Sequence, residues 1–251
     1  IPERAKEHAA KYPGMKTVDT FEEGLQQKPD AVFICSPPAL HMPQAEAAIL
    51  AGCHVMVEKP VAITMESLER VKALAEEKGK MVSVALCNRY HKGLQRIKEI
   101  ADSGELGRLN YVRFRNCHNG STGNWLPTHF YNAEECGGGA MIDLGAHGMY
   151  LTQWILGVPV TAVSAFTLAC ERPDVAEKNT DRVEDNAVTV MSYSNGAIAI
   201  NETGFVSAND PVVFEVHGEN GYVRMDGNKV VKCTPASDGK VVEVELGESD
   251  P

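Results

Sequence analysis

Three short apolar runs, separated by segments with a helical pattern, constrain the fold of this chain more than any other feature. The runs occupy residues 30–36, 54–58 and 81–86, and none of them alternates between apolar and polar side chains. Such runs are typical of strands that are buried on both faces of a parallel sheet. Helical patterns at residues 41–51 and 64–78 connect them, which predicts a right-handed parallel α/β unit over residues 1–88.

The residues that follow these strands are the first candidates for a functional site, because open parallel sheets bind ligands beyond the carboxyl ends of their strands. Lys59 could donate to a substrate hydroxyl or take part in proton transfer once it is partly desolvated. A rigid proline loop could contact a flat ligand, and His41 could add a ligand contact. The ordinary alternatives are a surface lysine, a simple turn and a helix-opening histidine. The residues at the strand ends are Ser36, Pro37 and Pro38; Glu58 and Lys59; and Arg89.

The remaining residues, 89–251, have a different pattern. A half-exposed strand at 109–116 leads into a loop that carries Trp125 and His129. Several strand-like runs follow after residue 160, with hairpin turn signals such as Asn-Gly between some of them. We therefore expect an α/β chain in which the parallel sheet is followed by an α+β domain with a large, mostly antiparallel, open sheet.

A glycine-led helix in this second region carries the clearest candidate for acid–base chemistry. Three glycines at 137–139 let the backbone come close to another segment, and a helical run follows to residue 156. Asp143 and His147 are four residues apart, which puts both side chains on one face of a helix. A carboxylate beside an imidazole orients the ring and raises its basicity, as proton transfer requires. The alternative is that Asp143 caps the helix and His147 is a core or surface histidine.

Composition excludes several classes of function. Acidic residues exceed basic ones by 10, which argues against nucleic acid or an anionic membrane as the main partner. No stretch is apolar for the length of a membrane span. The seven cysteines contain no Cys-x-x-Cys pair, which fits reduced thiols in a cytoplasmic protein and argues against a zinc site built on cysteines. A metal site from Asp143, His147 and His129 has no supporting ligand spacing, so we expect no metal.

Four segments of the chain form a recognisable set. They are Cys35-Ser36-Pro37-Pro38-x-x-His41; residues 51–60, which end in Glu58-Lys59-Pro60; Gly137-Gly138-Gly139 with Asp143 and His147; and Val183-Glu184-Asp185-Asn186, followed by residues 194–197. Together they resemble the Gfo/Idh/MocA family of nicotinamide-dependent oxidoreductases, over about residues 1 to 225. The Glu-Lys-Pro tripeptide alone is a weak signal, but with the glycine-led helix at the right distance it is a specific one.

The resemblance implies a Rossmann domain, residues 1–88, and a substrate and oligomerisation domain, residues 89–251, with a sugar, polyol or sugar nucleotide bound between them and a homo-oligomer, dimer or tetramer, in solution. It implies NAD or NADP as the cofactor, a hydroxyl oxygen polarised by Lys59, and Asp143 with His147 as the acid–base pair. The peptide bond before Pro60 is often cis in this family. The expected cofactor contacts are Ser36, Pro37, Pro38, His41, Glu58, Lys59 and Arg89, and the expected substrate contacts are Lys59, Trp125, His129, Asp143 and His147.

The chain departs from the family at its start. The strand, the Gly-x-Gly-x-x-Gly turn, the helix and the second strand with its ribose-binding acid have no counterpart in this sequence. We therefore expect a partial Rossmann sheet without the phosphate-binding helix terminus, and a second domain that ends early. The residues that would choose between NAD and NADP belong to the missing segment. Two other functions remain open: an NAD-dependent glycosidase of the same family, and a non-catalytic ligand-binding fragment.

Overall fold

The computed structural model describes residues 2–169, 183–207 and 212–246. The chain forms two compact units, Ile1–Ala85 and Leu86–Pro251, whereas the sequence predicts the boundary after residue 88. Within the described ranges, no helix is both long enough and apolar enough to cross a membrane.

The first unit is a three-stranded parallel sheet with the order β1-β2-β3. Ala31 pairs with His54, and Val55 pairs with Val82, so the prediction of three parallel strands is confirmed. Thr20 and Thr64 cap the helices that follow them, each by accepting from a backbone N–H three residues later. The elements are α1 Pro2–Ala9, α2 Phe21–Gln26, β1 Ala31–Ile34, α3 Pro38–Leu50, β2 His54–Val57, α4 Met65–Lys78 and β3 Val82–Val84.

The two faces of this sheet differ, and the prediction of strands buried on both faces is wrong. Ile34, Val55 and Val57 are buried in a core that includes residues of α3 and α4. On the opposite face, Phe33 is 55% exposed and Met56 is 41% exposed. Successive side chains of a strand point to opposite faces, and among the described residues the helices cover only one of them. The apolar runs therefore predicted the positions of the strands correctly, but not the exposure of one face of the sheet.

The second unit contains an eight-stranded sheet with the order β11-β10-β9-β8-β4-β7-β6-β5. The pair β4–β7 is parallel and the other neighbouring pairs are antiparallel, which confirms the predicted sheet. The helices are α5 Lys92–Asp102, α6 Ala133–Cys136 and α7 Ala146–Leu156, with a π-helical turn at Met141–Gly145 and 3-10 turns at Cys87–Tyr90, Thr128–Tyr131 and Pro235–Ser237. The strands are β4 Leu109–Cys117, β5 Val160–Leu168, β6 Asn186–Tyr193, β7 Ile198–Gly204, β8 Val213–Gly218, β9 Gly221–Asp226, β10 Lys229–Cys233 and β11 Val242–Val244.

One face of the large sheet packs against α5 and α7, and its core includes Ile97, Leu151 and Phe114. We call the opposite side the outer face. The register runs across it from Phe166 to Val188, Glu202, Arg115 and Val213 on five successive strands. Towards β5 this face is apolar and open, and Phe166 is 79% exposed. Towards β4 it carries ion pairs, with Glu202 accepting from Arg113 at 2.6 Å.

Candidate functional site

The start of the helical segment that carries Asp143 and His147 is fixed by a glutamate from a distant part of the chain. One carboxylate oxygen of Glu184 accepts from Gly139 N at 3.1 Å, and the other accepts from Met141 N at 2.8 Å. A Cβ on Gly139 would lie 2.0 Å from the backbone oxygen of Glu184, so only glycine allows this approach. Negative charge at a helix start is also favourable towards the helix dipole. Two of the segments that resemble the family are therefore in direct contact.

The helix does not begin as a regular α-helix. Met141–Gly145 forms a π-helical turn before α7, and such turns leave backbone carbonyls that need other partners. Two side chains of β7 supply them: Asn201 Nδ2 donates to Gly145 O at 2.8 Å, and Thr203 Oγ1 donates to Ala140 O at 3.0 Å. Both side chains are buried. The spacing of Asp143 and His147 is therefore set by this turn rather than by an ordinary α-helix.

His147 is buried, with 7% of its surface exposed, and it has a partner that sequence analysis missed. Its Nδ1 lies 2.7 Å from the hydroxyl of Tyr150, which follows three residues later on α7. When Nδ1 donates to this hydroxyl, the basic lone pair of the imidazole is on Nε2, which is the tautomer that a general base needs. Residues three apart on a helix are neighbours, so the spacing was a signal that could have identified Tyr150.

A cavity of about 470 Å³ lies beside His147 within the second unit. Its polar lining consists mainly of amides and imidazoles, and its apolar lining comes from α5, β4 and β9. This volume is typical of sites for small molecules. The lining residues are Asn88, His91, Leu94, Phe114, Asn116, His147, Val212, Met225, Gly227 and Asn228.

The carboxylate of Asp143 lies close enough to His118 to affect the pKa of the imidazole. Burial lowers the pKa of His118, and the Asp143 carboxylate opposes this only in part. His118 Nδ1 accepts from Gly120 N at 3.0 Å, which places the ring proton on Nε2. The ring stacks on Phe205 at 5.2 Å and lies 4.7 Å from the ring of Trp125. Sequence analysis missed His118, because nothing near it in the chain indicates that β4 ends beside Asp143.

The two aromatic-loop residues predicted to bind substrate are both exposed. Trp125 is 55% exposed, and its Nε1 donates to Asn119 Oδ1 at 3.0 Å. His129 lies in the 3-10 turn Thr128–Tyr131, with its ring 4.5 Å from that of Phe130.

Across residues 2–169, 183–207 and 212–246, no three His, Cys, Asp or Glu side chains are grouped so that they could hold a metal ion.

In the first unit, His41 bridges the loops that follow β1 and β2. Its Nε2 lies 2.8 Å from Ser36 O and its Nδ1 lies 2.8 Å from Pro60 O, while only 1% of the residue is exposed. A carbonyl oxygen only accepts, so the ring donates to either loop, and to both when both nitrogens carry a proton. Ser36 Oγ also donates to Gln44 Oε1 at 2.7 Å. The structure thus places His41 between the two predicted ligand loops, with its ring against backbone.

The other predicted cofactor residues lie at or near the same edge of the small sheet, apart from Arg89. Pro37 precedes α3 and Pro38 is its first residue. Lys59 is half-buried, its peptide bond to Pro60 is cis, and its backbone N–H donates to Glu58 Oε2 at 3.1 Å. Arg89 belongs to the second unit, where its guanidinium lies 5.1 Å from the ring centre of Trp154.

Comparison with known proteins gives matches over both units. The chain is 32% identical over 189 residues to D-glucoside 3-dehydrogenase of Escherichia coli. The aligned region covers 72% of this chain and 53% of that protein. A structure of levoglucosan dehydrogenase with NADH and levoglucosan superposes with a TM-score of 0.86 at 25% identity, covering 97% of this chain and 69% of the other. The WlbA dehydrogenase of Bordetella pertussis, in complex with NADH and UDP-GlcNAcA, gives a TM-score of 0.77 at 27% identity, covering 91% and 64%.

The chain spans about half the length of the curated relatives that it matches first. Two family models account for most of its residues. The NAD-binding Rossmann fold of the oxidoreductase family matches residues 2–86, and the GFO/IDH/MocA C-terminal domain matches residues 94–224. With the contacts that join the Gly139 and Glu184 segments, these matches establish that the chain belongs to the Gfo/Idh/MocA family of oxidoreductases.

Proposed function

We propose that the whole protein is a dehydrogenase that oxidises a hydroxyl group of a sugar, an inositol-like polyol or a sugar derivative, with NAD or NADP as the hydride acceptor. The observation that carries this proposal is the buried His147, which is hydrogen-bonded to Tyr150 and lines a cavity rich in amides. The names of the relatives, which act on a glucoside or were crystallised with a sugar, support the same substrate class.

The residues present fit the nicotinamide end of such a cofactor. The loops 36–38 and 58–60 follow parallel strands, where this class of sheet binds ligands, and His41 joins them. We propose that Ser36, Pro37, Pro38 and Glu58 form the wall against which the cofactor lies, with Lys59 facing its reactive end. When bound, the nicotinamide supplies the hydride acceptor. The Gly-x-Gly-x-x-Gly turn that would hold the diphosphate does not occur in residues 1–251.

The proton and the hydride leave the substrate from different atoms. We propose that His147 Nε2 takes the hydroxyl proton while Nδ1 donates to Tyr150, so that Tyr150 stabilises the imidazolium that forms. The ammonium group of Lys59 would stabilise the negative charge that develops on the same oxygen. Asp143 would act with His147 as the acid–base pair, and Trp125, His129 and Arg89 would contact substrate or cofactor. That Lys59 and His147 act on one hydroxyl stays a prediction.

The products of the reaction test this proposal. The full-length protein, mixed with NAD or NADP and a panel of uncharged glycosides and inositols, should form reduced cofactor and the matching ketone in equal amounts. Release of the aglycone without net cofactor reduction would instead identify an NAD-dependent glycosidase. Sugar binding without either product would identify a non-catalytic ligand-binding protein.

We also propose that the protein is a homo-oligomer in the cytoplasm. The open part of the outer face carries the exposed apolar side chains of Phe166, Leu168, Val188 and Ile198, and monomers rarely expose large contiguous apolar patches. The cysteines that the structure describes form no disulfide, which supports a reducing compartment. Light scattering of the full-length protein should give a multiple of the chain mass, and Phe166→Glu should shift it towards the monomer. A monomer mass for the unchanged protein at all concentrations would contradict this.

A further inference from the structure

We infer that the cavity beside His147 selects an uncharged monosaccharide or its simple glycoside over sugar acids and nucleotide sugars, with Asn116 and Asn228 as specificity-determining residues. The inference rests on the proposed function and narrows its substrate class. Family membership alone does not decide the charge of the substrate, because relatives were crystallised with both levoglucosan and UDP-GlcNAcA.

The first argument is the chemistry of the lining. Three amides, those of Asn88, Asn116 and Asn228, contribute to it, and none of the described lining residues is Asp, Glu, Lys or Arg. An amide offers both donors and an acceptor, which matches a hydroxyl group that donates and accepts. Carboxylates and phosphates only accept, and proteins recognise them mainly with Arg and Lys. The residues that line this cavity offer an anionic group no fixed positive charge in exchange for its lost water, and the proposed contact of Lys59 is with the hydroxyl that is oxidised.

The second argument is the arrangement of polar and apolar lining. Leu94 and Phe114 are buried, and a Cβ on Gly93 would lie 2.6 Å from Met225 Sδ, so the glycine lets Met225 pack close to α5. These side chains form an apolar wall. A pyranose ring has an apolar C–H face and hydroxyls around its edge, so it can place that face on such a wall and its hydroxyls towards the amides.

The third argument is that the amides come from separate elements of the fold. Asn88 lies in the 3-10 turn Cys87–Tyr90, and Asn116 lies near the end of β4. Asn228 lies in the tight turn between β9 and β10, beside Gly227 with φ of +60°. Side chains from three elements can contact hydroxyls at different positions of one ring, which a single polar residue could not do. The volume of about 470 Å³ is ample for one such ring.

Direct binding to the full-length protein tests the inference without depending on turnover. The probes are methyl glucoside, methyl galactoside and methyl mannoside, each paired with the uronic acid that carries a carboxylate at C6. Calorimetry should show at least one uncharged sugar binding about tenfold or more tightly than its acid partner. Equal or tighter binding of the acids, or binding of no sugar at all, would overturn the inference.

A variant shows whether the cavity itself is responsible. Asn228 is exposed at the cavity rim, so Asn228→Lys should fold normally and improve the binding of the acid relative to the uncharged sugar by about tenfold. Asn110→Lys is the matched control, since Asn110 is exposed and is not among the lining residues. An equal shift with Asn110→Lys would mean a general effect of charge and would overturn the inference. Selective sugar binding without cofactor reduction would reject the proposed oxidation but leave this inference standing.

Discussion

Both units hold their candidate functional segments by hydrogen bonds from side chains to backbone, but the number of side chains involved differs. In the first unit, one buried side chain, His41, contacts the backbone of both loops that are predicted to bind the cofactor. In the second unit, three side chains from separate positions, Glu184, Asn201 and Thr203, bind the backbone around the π-helical turn. Buried polar groups are costly unless they are paired, which favours the hydrogen bonds of the three buried side chains, His41, Asn201 and Thr203. The link between the two loops of the first unit should therefore be sensitive to the loss of His41, whereas the backbone around the π-helical turn should tolerate the loss of any single hydrogen bond.

The largest loss of stability is expected at Gly139, where the backbone of Glu184 leaves no room for a side chain. Gly139→Ala would place a Cβ 2.0 Å from a backbone oxygen, so it should lower the free energy of unfolding by about 3 kcal/mol or more. Gly138→Ala is the control for a side-chain contact, because its Cβ would lie 2.7 Å from Ile142 Cγ1, which a shift of that side chain can relieve without moving backbone. Urea denaturation measures both variants. Equal stabilities for the two would show that the Gly139–Glu184 approach does not determine the fold here.

The next largest loss of stability is expected at His41, which links the two loops of the first unit. His41→Leu keeps an apolar side chain in the core but leaves Ser36 O and Pro60 O without their partner, which should cost about 2 kcal/mol. Hydrogen exchange should become faster over residues 31–60 and stay unchanged over 141–156. His8→Leu, at an exposed position of α1, is the control. Unchanged hydrogen exchange at both loops in the His41 variant would contradict the claim that His41 holds them.

A smaller loss of stability is expected when one of the side-chain hydrogen bonds around the π-helical turn is removed. Thr203→Val removes the donor to Ala140 O and keeps the shape of the side chain, so it should cost about 1 kcal/mol. Thr189→Val is a close control, because Thr189 is also buried but, among the described residues, donates to a weak acceptor, Met141 Sδ, at 3.6 Å. A loss for Thr203→Val that equals the loss for His41→Leu would contradict the expected redundancy.

The smallest effect is a dependence of stability on pH. Burial lowers the pKa of His118 in the folded state, so the unfolded chain binds a proton there more readily. The contribution of His118 to stability is therefore fully present above its unfolded pKa, near 6.5, and is lost as the pH falls towards its lower folded pKa. His118→Gln should flatten the dependence of the unfolding free energy on pH between about 7.5 and 5. An identical slope in the variant would show that other groups cause it.

The sequence was informative wherever the signal was local. Apolar runs located β1, β2 and β3, and Thr20 marked the start of α2 from its own side chain. The family resemblance correctly indicated the cis peptide bond at Pro60. These features depend on residues that are adjacent in the chain or that form one contiguous motif.

The features that sequence reasoning missed depend on residues that meet only after folding. Glu184 lies 45 residues from Gly139, and no periodicity connects the two. The π-helical turn depends on Asn201 and Thr203, which belong to a strand whose register is set by the whole sheet. The exposed side chain of Phe33 has the same cause, since an apolar run does not state how many faces of a strand are covered.

The central claim is that His147, paired with Tyr150, removes the substrate proton. The most direct test is the turnover number of His147→Asn in the full-length protein, with the best uncharged sugar and saturating cofactor. We expect a loss of about 10²-fold or more with little change in sugar binding, and a loss of about fivefold to tenfold for Tyr150→Phe. His8→Asn should have the turnover of the unchanged protein. Unchanged turnover in His147→Asn would contradict the account.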